Sequence, residues 1–101
     1  MTDKQILDLL ISSEGKEWKS QTEGCSLKFT RLKEEPYLIM CYNNEEFSGT
    51  YTVLNKELTI SDKNMSFYVD SIDVGQIKSI SLVREGKMNN YTIWPYITKG
   101  K

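Results

Sequence analysis

The sequence contains no histidine and no alanine, and only two cysteines. Without histidine, a Ser-His-Asp or Cys-His catalytic apparatus, an HExxH zinc site and an imidazole general base are all excluded. Cys25 and Cys41 are too few for a disulfide-stapled fold, and they lack the paired spacing of a zinc site. We interpret them as reduced thiols. These absences exclude much of ordinary hydrolase chemistry.

Long apolar runs and charged blocks are also missing. No run approaches the roughly 18 apolar residues of a membrane span, and the apolar stretch over residues 6–11 contains Asp8, which is unlike a secretory signal. The 13 basic and 14 acidic residues are dispersed along the chain. This pattern argues against a nucleic-acid or membrane partner. We expect a cytoplasmic protein, or an exported one if a signal peptide has been removed.

The residues that are present favour β-structure. About a third of the 101 residues are Val, Ile, Thr, Tyr, Phe or Trp, the types enriched in strands. The length predicts a single domain over residues 1–101. The pattern of apolar residues divides it into a helix over about 2–12 and a barrel over about 16–98.

One helix is predicted at the start of the chain. Ile6, Leu9 and Leu10 follow helical spacing, Thr2 and Gln5 form a possible capping box, and Gly15 lies just beyond the expected end. An isolated helix of this length is marginal in water. We therefore expect its apolar side to pack on the rest of the domain.

From residue 16 onward, short alternating runs broken by turn residues predict eight strands. Their expected bounds are Glu17 to Gln21, Ser26 to Leu32, Tyr37 to Asn43, Phe47 to Leu54, Glu57 to Asp62, Ser66 to Ile72, Gln76 to Arg84 and Tyr91 to Ile97. Links this short require antiparallel pairing. Most strands have one apolar side, which is buried when the sheet closes into an up-and-down barrel. Pleckstrin-homology-like and avidin-like barrels are the alternative folds.

The order of motifs resembles the compact bacterial lipocalin-like domains. The motifs are Gly15-Lys16-Glu17-Trp18, Ser26-Leu27-Lys28-Phe29, Phe47-Ser48-Gly49-Thr50-Tyr51-Thr52-Val53, Glu57-Leu58-Thr59-Ile60-Ser61-Asp62, Phe67-Tyr68-Val69 and Ile80-Ser81-Leu82. Gly15 lies three places before Trp18, whereas the lipocalin signature has two. The resemblance implies a lipocalin-like barrel in which Arg84 packs across Trp18 and closes the barrel base.

Alternation predicts that the inward positions are rich in aromatic residues. The expected set is Trp18, Phe29, Tyr37, Phe47, Tyr51, Phe67 and Tyr91, with Gly49 as the one small inward position, a possible bulge or bend. So many rings leave little free volume in an eight-stranded barrel. We therefore predict a small, largely apolar or flat ligand, bound at the end of the barrel beside the N-terminal helix. Its predicted ligand-binding residues are Tyr51, Phe29, Tyr37, Phe67 and Tyr91.

Two functions of different classes follow from these patterns. The first is a non-enzymatic, lipocalin-like small-ligand binder with no cofactor and no metal, since the acids at Asp62, Asp70 and Asp73 lack a calcium-loop pattern. The second is a bacterial or phage protein-interaction module, such as an immunity or inhibitor protein, acting through its outer surface. If residue 29 faces residue 37 across the hairpin, a bridge between Cys25 and Cys41 becomes geometrically conceivable, although thiols are favoured.

Overall fold

A computed structural model describes residues 1–22, 24–75 and 78–93, and it confirms the predicted closed antiparallel barrel with one short N-terminal helix. Its elements are α1 (Asp3–Ser12), β1 (Glu17–Ser20), β2 (Ser26–Leu32), β3 (Glu35–Tyr42), β4 (Glu45–Leu54), β5 (Glu57–Ile60), a 3-10 turn (Asp62–Asn64), β6 (Met65–Asp73), β7 (Lys78–Arg84) and β8 (Lys87–Ile93). Neighbouring strands pair in chain order, and β8 pairs with β1 to close the barrel. The predicted strand residues 76–77 and 94–97 lie outside the described residues.

The helix begins as its sequence predicts. The Thr2 hydroxyl accepts a hydrogen bond from the Gln5 N–H at 3.1 Å, and the Gln5 side chain accepts one from the Thr2 N–H at 2.8 Å. This reciprocal capping box satisfies two of the amides that a helix start leaves unpaired. The predicted apolar side packs on the barrel, with Ile6 and Leu10 fully buried. The described helices include none long and apolar enough to cross a membrane.

Four hairpins are closed by two-residue turns whose residues both have positive φ, namely Lys33–Glu34, Asn43–Asn44, Asn55–Lys56 and Glu85–Gly86. This conformation matches the twist of paired strands. Two expected links are therefore wrong. The expected strand bounds place a link over residues 33–36, but the turn takes only Lys33–Glu34 and Pro36 lies inside β3. The link expected over residues 85–90 is only two residues long.

The inward side of β3 is also opposite to the prediction. The turn at residues 33–34 pairs Phe29 with Leu38, so Leu38 and Met40 point into the barrel whereas Tyr37 and Ile39 point outward. A shift of one residue moves every side chain of a strand to the other face.

The same register separates the two cysteines. Cys41 lies on the outer side opposite Ser26, whereas Cys25 is buried, and both are free thiols. Because the two side chains are on opposite faces, the conceivable bridge between Cys25 and Cys41 does not form.

Candidate functional site

Four of the five predicted ligand-binding residues point into the barrel and are buried there: Phe29, Tyr51, Phe67 and Tyr91. Their rings pack on neighbouring side chains. The Phe29 and Tyr51 ring centroids are 5.2 Å apart in an edge-on arrangement. The fifth, Tyr37, lies on the outer face opposite Thr50, which corrects the prediction that it faces the interior. The predicted ligand residues thus contribute mainly to the packed core.

Helix α1 closes one end of the barrel through three polar connections. The indole N–H of Trp18 donates to the buried Ser13 hydroxyl at 3.0 Å. The Arg31 guanidinium contacts both carboxylate oxygens of Glu14, at 3.1 and 3.0 Å. At the start of the helix, the Asp3 carboxylate accepts two backbone hydrogen bonds from the β4–β5 turn, at 2.8 and 2.9 Å. Together with the buried helix side, these bonds seal the end at which the sequence predicts the ligand.

A pocket of about 240 Å³ nevertheless lies beside the helix. It is lined by Met1, Ile6, Lys56, Val69, Asp70, Ser71 and Ile72. Tyr51 is not part of this lining and is only 3% exposed. A pocket therefore lies near the helix, where the sequence predicts the ligand, but Tyr51, one of the predicted ligand-binding residues, does not line it.

Another pocket, of about 330 Å³, lies at the end of the barrel opposite α1, where the β3–β4 and β7–β8 hairpins approach the 3-10 turn. We call it the mouth pocket. Its lining residues are Tyr42, Asn43, Glu45, Phe47, Lys63, Met65 and Arg84. The volume lies near the lower end of the range for small-molecule sites in proteins.

The two cations that line the mouth pocket each lie over an aromatic ring. The Lys63 ammonium is 4.9 Å from the centre of the Phe47 ring, and the Arg84 guanidinium carbon is 5.6 Å from the centre of the Phe67 ring. Both distances are within the range of cation–π attraction. Tyr42 packs edge-on against Phe67, with centroids 5.5 Å apart. The pocket therefore combines aromatic surface with two positive charges.

The position of Arg84 corrects the expectation drawn from the resemblance. Arg84 ends β7 at the mouth, and the aromatic ring beneath its guanidinium is Phe67. Trp18 lies at the opposite end, hydrogen-bonded to Ser13 under the helix. The arginine therefore does not close the barrel across the tryptophan.

Gly49 has a local packing role. It is buried, and a Cβ atom there would lie 2.5 Å from the Ser61 hydroxyl and 3.1 Å from the Asp62 backbone nitrogen. The Asp62 carboxylate accepts a hydrogen bond from the Ser48 N–H at 3.2 Å. Gly49 thus lets the chain after β5 approach β4 closely, which places the 3-10 turn and its Lys63 beside the mouth pocket.

Two buried phenol groups form no well-directed hydrogen bond with any described residue, although the Asn89 side chain lies near one of them. They are the hydroxyls of Tyr51, near the helical end, and Tyr91, in the half of the barrel nearer the mouth. Burial raises the pKa of both phenols. Glu14 raises the pKa of Tyr51 further while Arg31 lowers it, and Cys25 and Tyr42 raise the pKa of Tyr91 further while the Asn89 side chain lowers it. Both hydroxyls are therefore neutral at physiological pH.

Sequence reasoning missed three of the residues that shape the mouth pocket. The parity predicted for β3 puts Tyr42 on the outer side, which is wrong. Lys63 lies in the segment interpreted only as a turn, and Met65 immediately precedes the expected start of β6. The polar segment after β5 identifies Lys63 as an exposed charged residue. Its contact with Phe47 could not be predicted, because the two residues are distant in sequence and meet only in the folded barrel.

Comparisons with family models, curated proteins and solved structures found no significant match for the chain. The described residues also contain no group of three or more Cys, Asp or Glu side chains arranged to hold a metal ion.

Proposed function

We propose that this chain is a non-enzymatic, lipocalin-like binding protein whose small, flat, largely apolar ligand lies in the mouth pocket. The observation that carries the proposal is the pocket of about 330 Å³ that combines aromatic and methionine surface with two cations. Small-ligand sites combine apolar surface with oriented polar groups, and this lining has both, with four polar or charged residues beside Tyr42, Phe47 and Met65.

The packing of the barrel favours the mouth pocket, rather than the barrel interior, as the binding site. The inward side chains of neighbouring strands, including Leu27, Phe29, Leu38 and Met40, have no exposed surface. Eight-stranded barrels have an interior just wide enough for side chains or one small ligand, and here large side chains occupy it. A ligand at the mouth needs no rearrangement of this core.

A fluorescent apolar probe, N-phenyl-1-naphthylamine, tests the proposal by titration. Glu45 is an exposed residue that begins β4 and lines the mouth pocket, so Glu45→Trp places an indole at the pocket entrance. Glu57 is an exposed residue that begins β5 at the helical end, which makes Glu57→Trp the matched control. We expect probe affinity to fall about tenfold or more in Glu45→Trp and to stay unchanged in Glu57→Trp. Absence of binding to the folded parent, or equal effects of the two variants, would contradict the proposal.

One observation favours the second candidate, a protein-interaction module. Three apolar side chains, Tyr68, Val83 and Met88, lie side by side in register on the outer face of β6, β7 and β8. Tyr68 and Met88 are 44% and 53% exposed. Clustered exposed apolar side chains are typical of protein contacts.

Native mass spectrometry of the protein taken from its source distinguishes the two functions. A stoichiometric protein partner that is lost in Tyr68→Lys but retained in Glu45→Trp would support the interaction module. A retained small molecule with the opposite dependence would support the mouth-pocket binder.

A further inference from the structure

We propose that the ligand of the mouth pocket carries a negatively charged group, a carboxylate or a phosphate, held between Lys63 and Arg84. This inference rests on the proposed function and specifies the chemical class of its ligand.

The first support is the placement of the two cations. Lys63 and Arg84 come from different elements, the 3-10 turn and the end of β7, yet both line the same pocket. Each lies over the ring of a buried phenylalanine, at 4.9 and 5.6 Å respectively. A ring face removes water from one side of a cation without neutralising its charge. The remaining side of each cation is available to an anionic group.

The second support is the pairing of these charges. Among the described residues, Lys63 forms no ion pair. Within the same described part of the chain, Arg84 pairs only with its neighbour Glu85, at 3.3 Å, and the Glu85 side chain is 76% exposed. An exposed pair of this kind contributes little and is readily exchanged for another anion.

The third support is the local balance of charge. Among the described residues, Glu45 is the single acidic residue in the lining of the mouth pocket, against the two cations Lys63 and Arg84, and Glu85 contacts Arg84 from outside the lining. The described lining residues therefore carry one more positive than negative charge, in a chain whose formal net charge is −1. A positive site on a slightly negative protein favours anions over neutral molecules of the same shape.

A matched pair of probes tests the charge preference separately from binding itself. The anionic probe is 8-anilinonaphthalene-1-sulfonate, and the neutral probe of nearly the same shape is N-phenyl-1-naphthylamine. We expect the parent to bind the anionic probe about tenfold more tightly, as one or two charge-assisted contacts imply. Lys63→Gln and Arg84→Gln should each weaken binding of the anionic probe about fivefold or more while changing binding of the neutral probe less than about twofold.

Charge-conserving and remote variants provide the controls. Lys63→Arg and Arg84→Lys should keep the preference for the anionic probe, which also keeps the test usable if a glutamine variant fails to fold. Lys16→Gln removes the same charge from an exposed position at the helical end and should have no effect. Competition by 1-naphthoate and by 1-naphthyl phosphate, compared with neutral 1-naphthol, identifies which anionic group is preferred.

The outcomes separate the two proposals. If the neutral probe binds at the mouth but the anionic probe binds no better, the charge inference is wrong while the proposed function stands. The charge inference is equally overturned if the glutamine variants weaken both probes alike. If neither probe binds the folded protein, the proposed function itself is contradicted.

Discussion

Replacing Tyr51 or Tyr91 by phenylalanine is expected to stabilise the protein, although both side chains belong to the core. Their exposed fractions are 3% and 0%, and neither hydroxyl forms a well-directed hydrogen bond with a described residue, although the Asn89 side chain lies near the hydroxyl of Tyr91. A buried polar group without a partner costs about 1 to 3 kcal/mol of desolvation, and phenylalanine preserves the ring that packs around it. We therefore expect Tyr51→Phe to raise the free energy of unfolding at pH 7 by about 1 kcal/mol, and Tyr91→Phe to raise it by less because the Asn89 side chain lies near the hydroxyl that is removed.

The same substitutions are expected to change the response to alkaline pH. A tyrosine in the unfolded chain loses its proton near the ordinary pKa of about 10, whereas burial raises the pKa of both phenols in the folded protein. Above a pH of about 10 the unfolded state therefore binds fewer protons, and the stability of the parent falls as pH rises. Each phenylalanine variant should lose about 1.4 kcal/mol less than the parent per pH unit above about 10, until the folded phenol also ionises.

Urea unfolding followed by tryptophan fluorescence, at pH 7 and between about pH 10 and 11.5, measures both effects. Tyr68, which is 44% exposed, provides the matched control, because Tyr68→Phe should leave the pH 7 stability within about 0.5 kcal/mol of the parent. If Tyr51→Phe or Tyr91→Phe instead destabilises the protein at pH 7 by more than about 1 kcal/mol, the hydroxyl has a partner and the reasoning fails.

Three further variants test the contacts that close the barrel and shape the mouth, each by its midpoint in urea. Trp18→Ala should cost about 3 to 5 kcal/mol because a fully buried indole is lost, and an unchanged midpoint would refute its place in the core. Asp3→Ala should cost about 1 to 2 kcal/mol by removing two hydrogen bonds to backbone amides, whereas Asp8→Ala removes only an exposed ion pair and should cost less than about 0.5 kcal/mol. Gly49→Ala should cost about 1 to 3 kcal/mol because the new methyl group meets Ser61, and a neutral effect would show that the turn can move aside.

The hairpin turns show how far local sequence can be interpreted. Asn43–Asn44 and Asn55–Lys56 are predictable as turns because asparagine tolerates positive φ. At Lys33–Glu34 neither residue has such a preference, so the sequence favours a link that extends to Pro36, two residues beyond the observed turn. Local composition identifies that a turn exists but does not identify its central residues.

The mouth pocket could not be predicted from the sequence, for a different reason. Alternation placed Phe47 and Phe67 correctly on the inward side. The cations over these rings are not sequence neighbours of them, since Lys63 reaches Phe47 from the 3-10 turn and Arg84 reaches Phe67 from β7. Such pairs form only when the barrel has closed, so no local pattern predicts them.

By itself, the sequence determined that this protein has one capped helix followed by eight short antiparallel strands in a barrel. Those features depend on apolar periodicity and on short links, which are local properties. Only the tertiary structure decided which side of β3 faces inward. Residues 37–42 all have apolar side chains, so the strand buries three of them whichever of its two sides faces inward. The two-residue turn at Lys33–Glu34 sets the register by pairing Phe29 with Leu38, and this register places Tyr37 and Cys41 on the outer face.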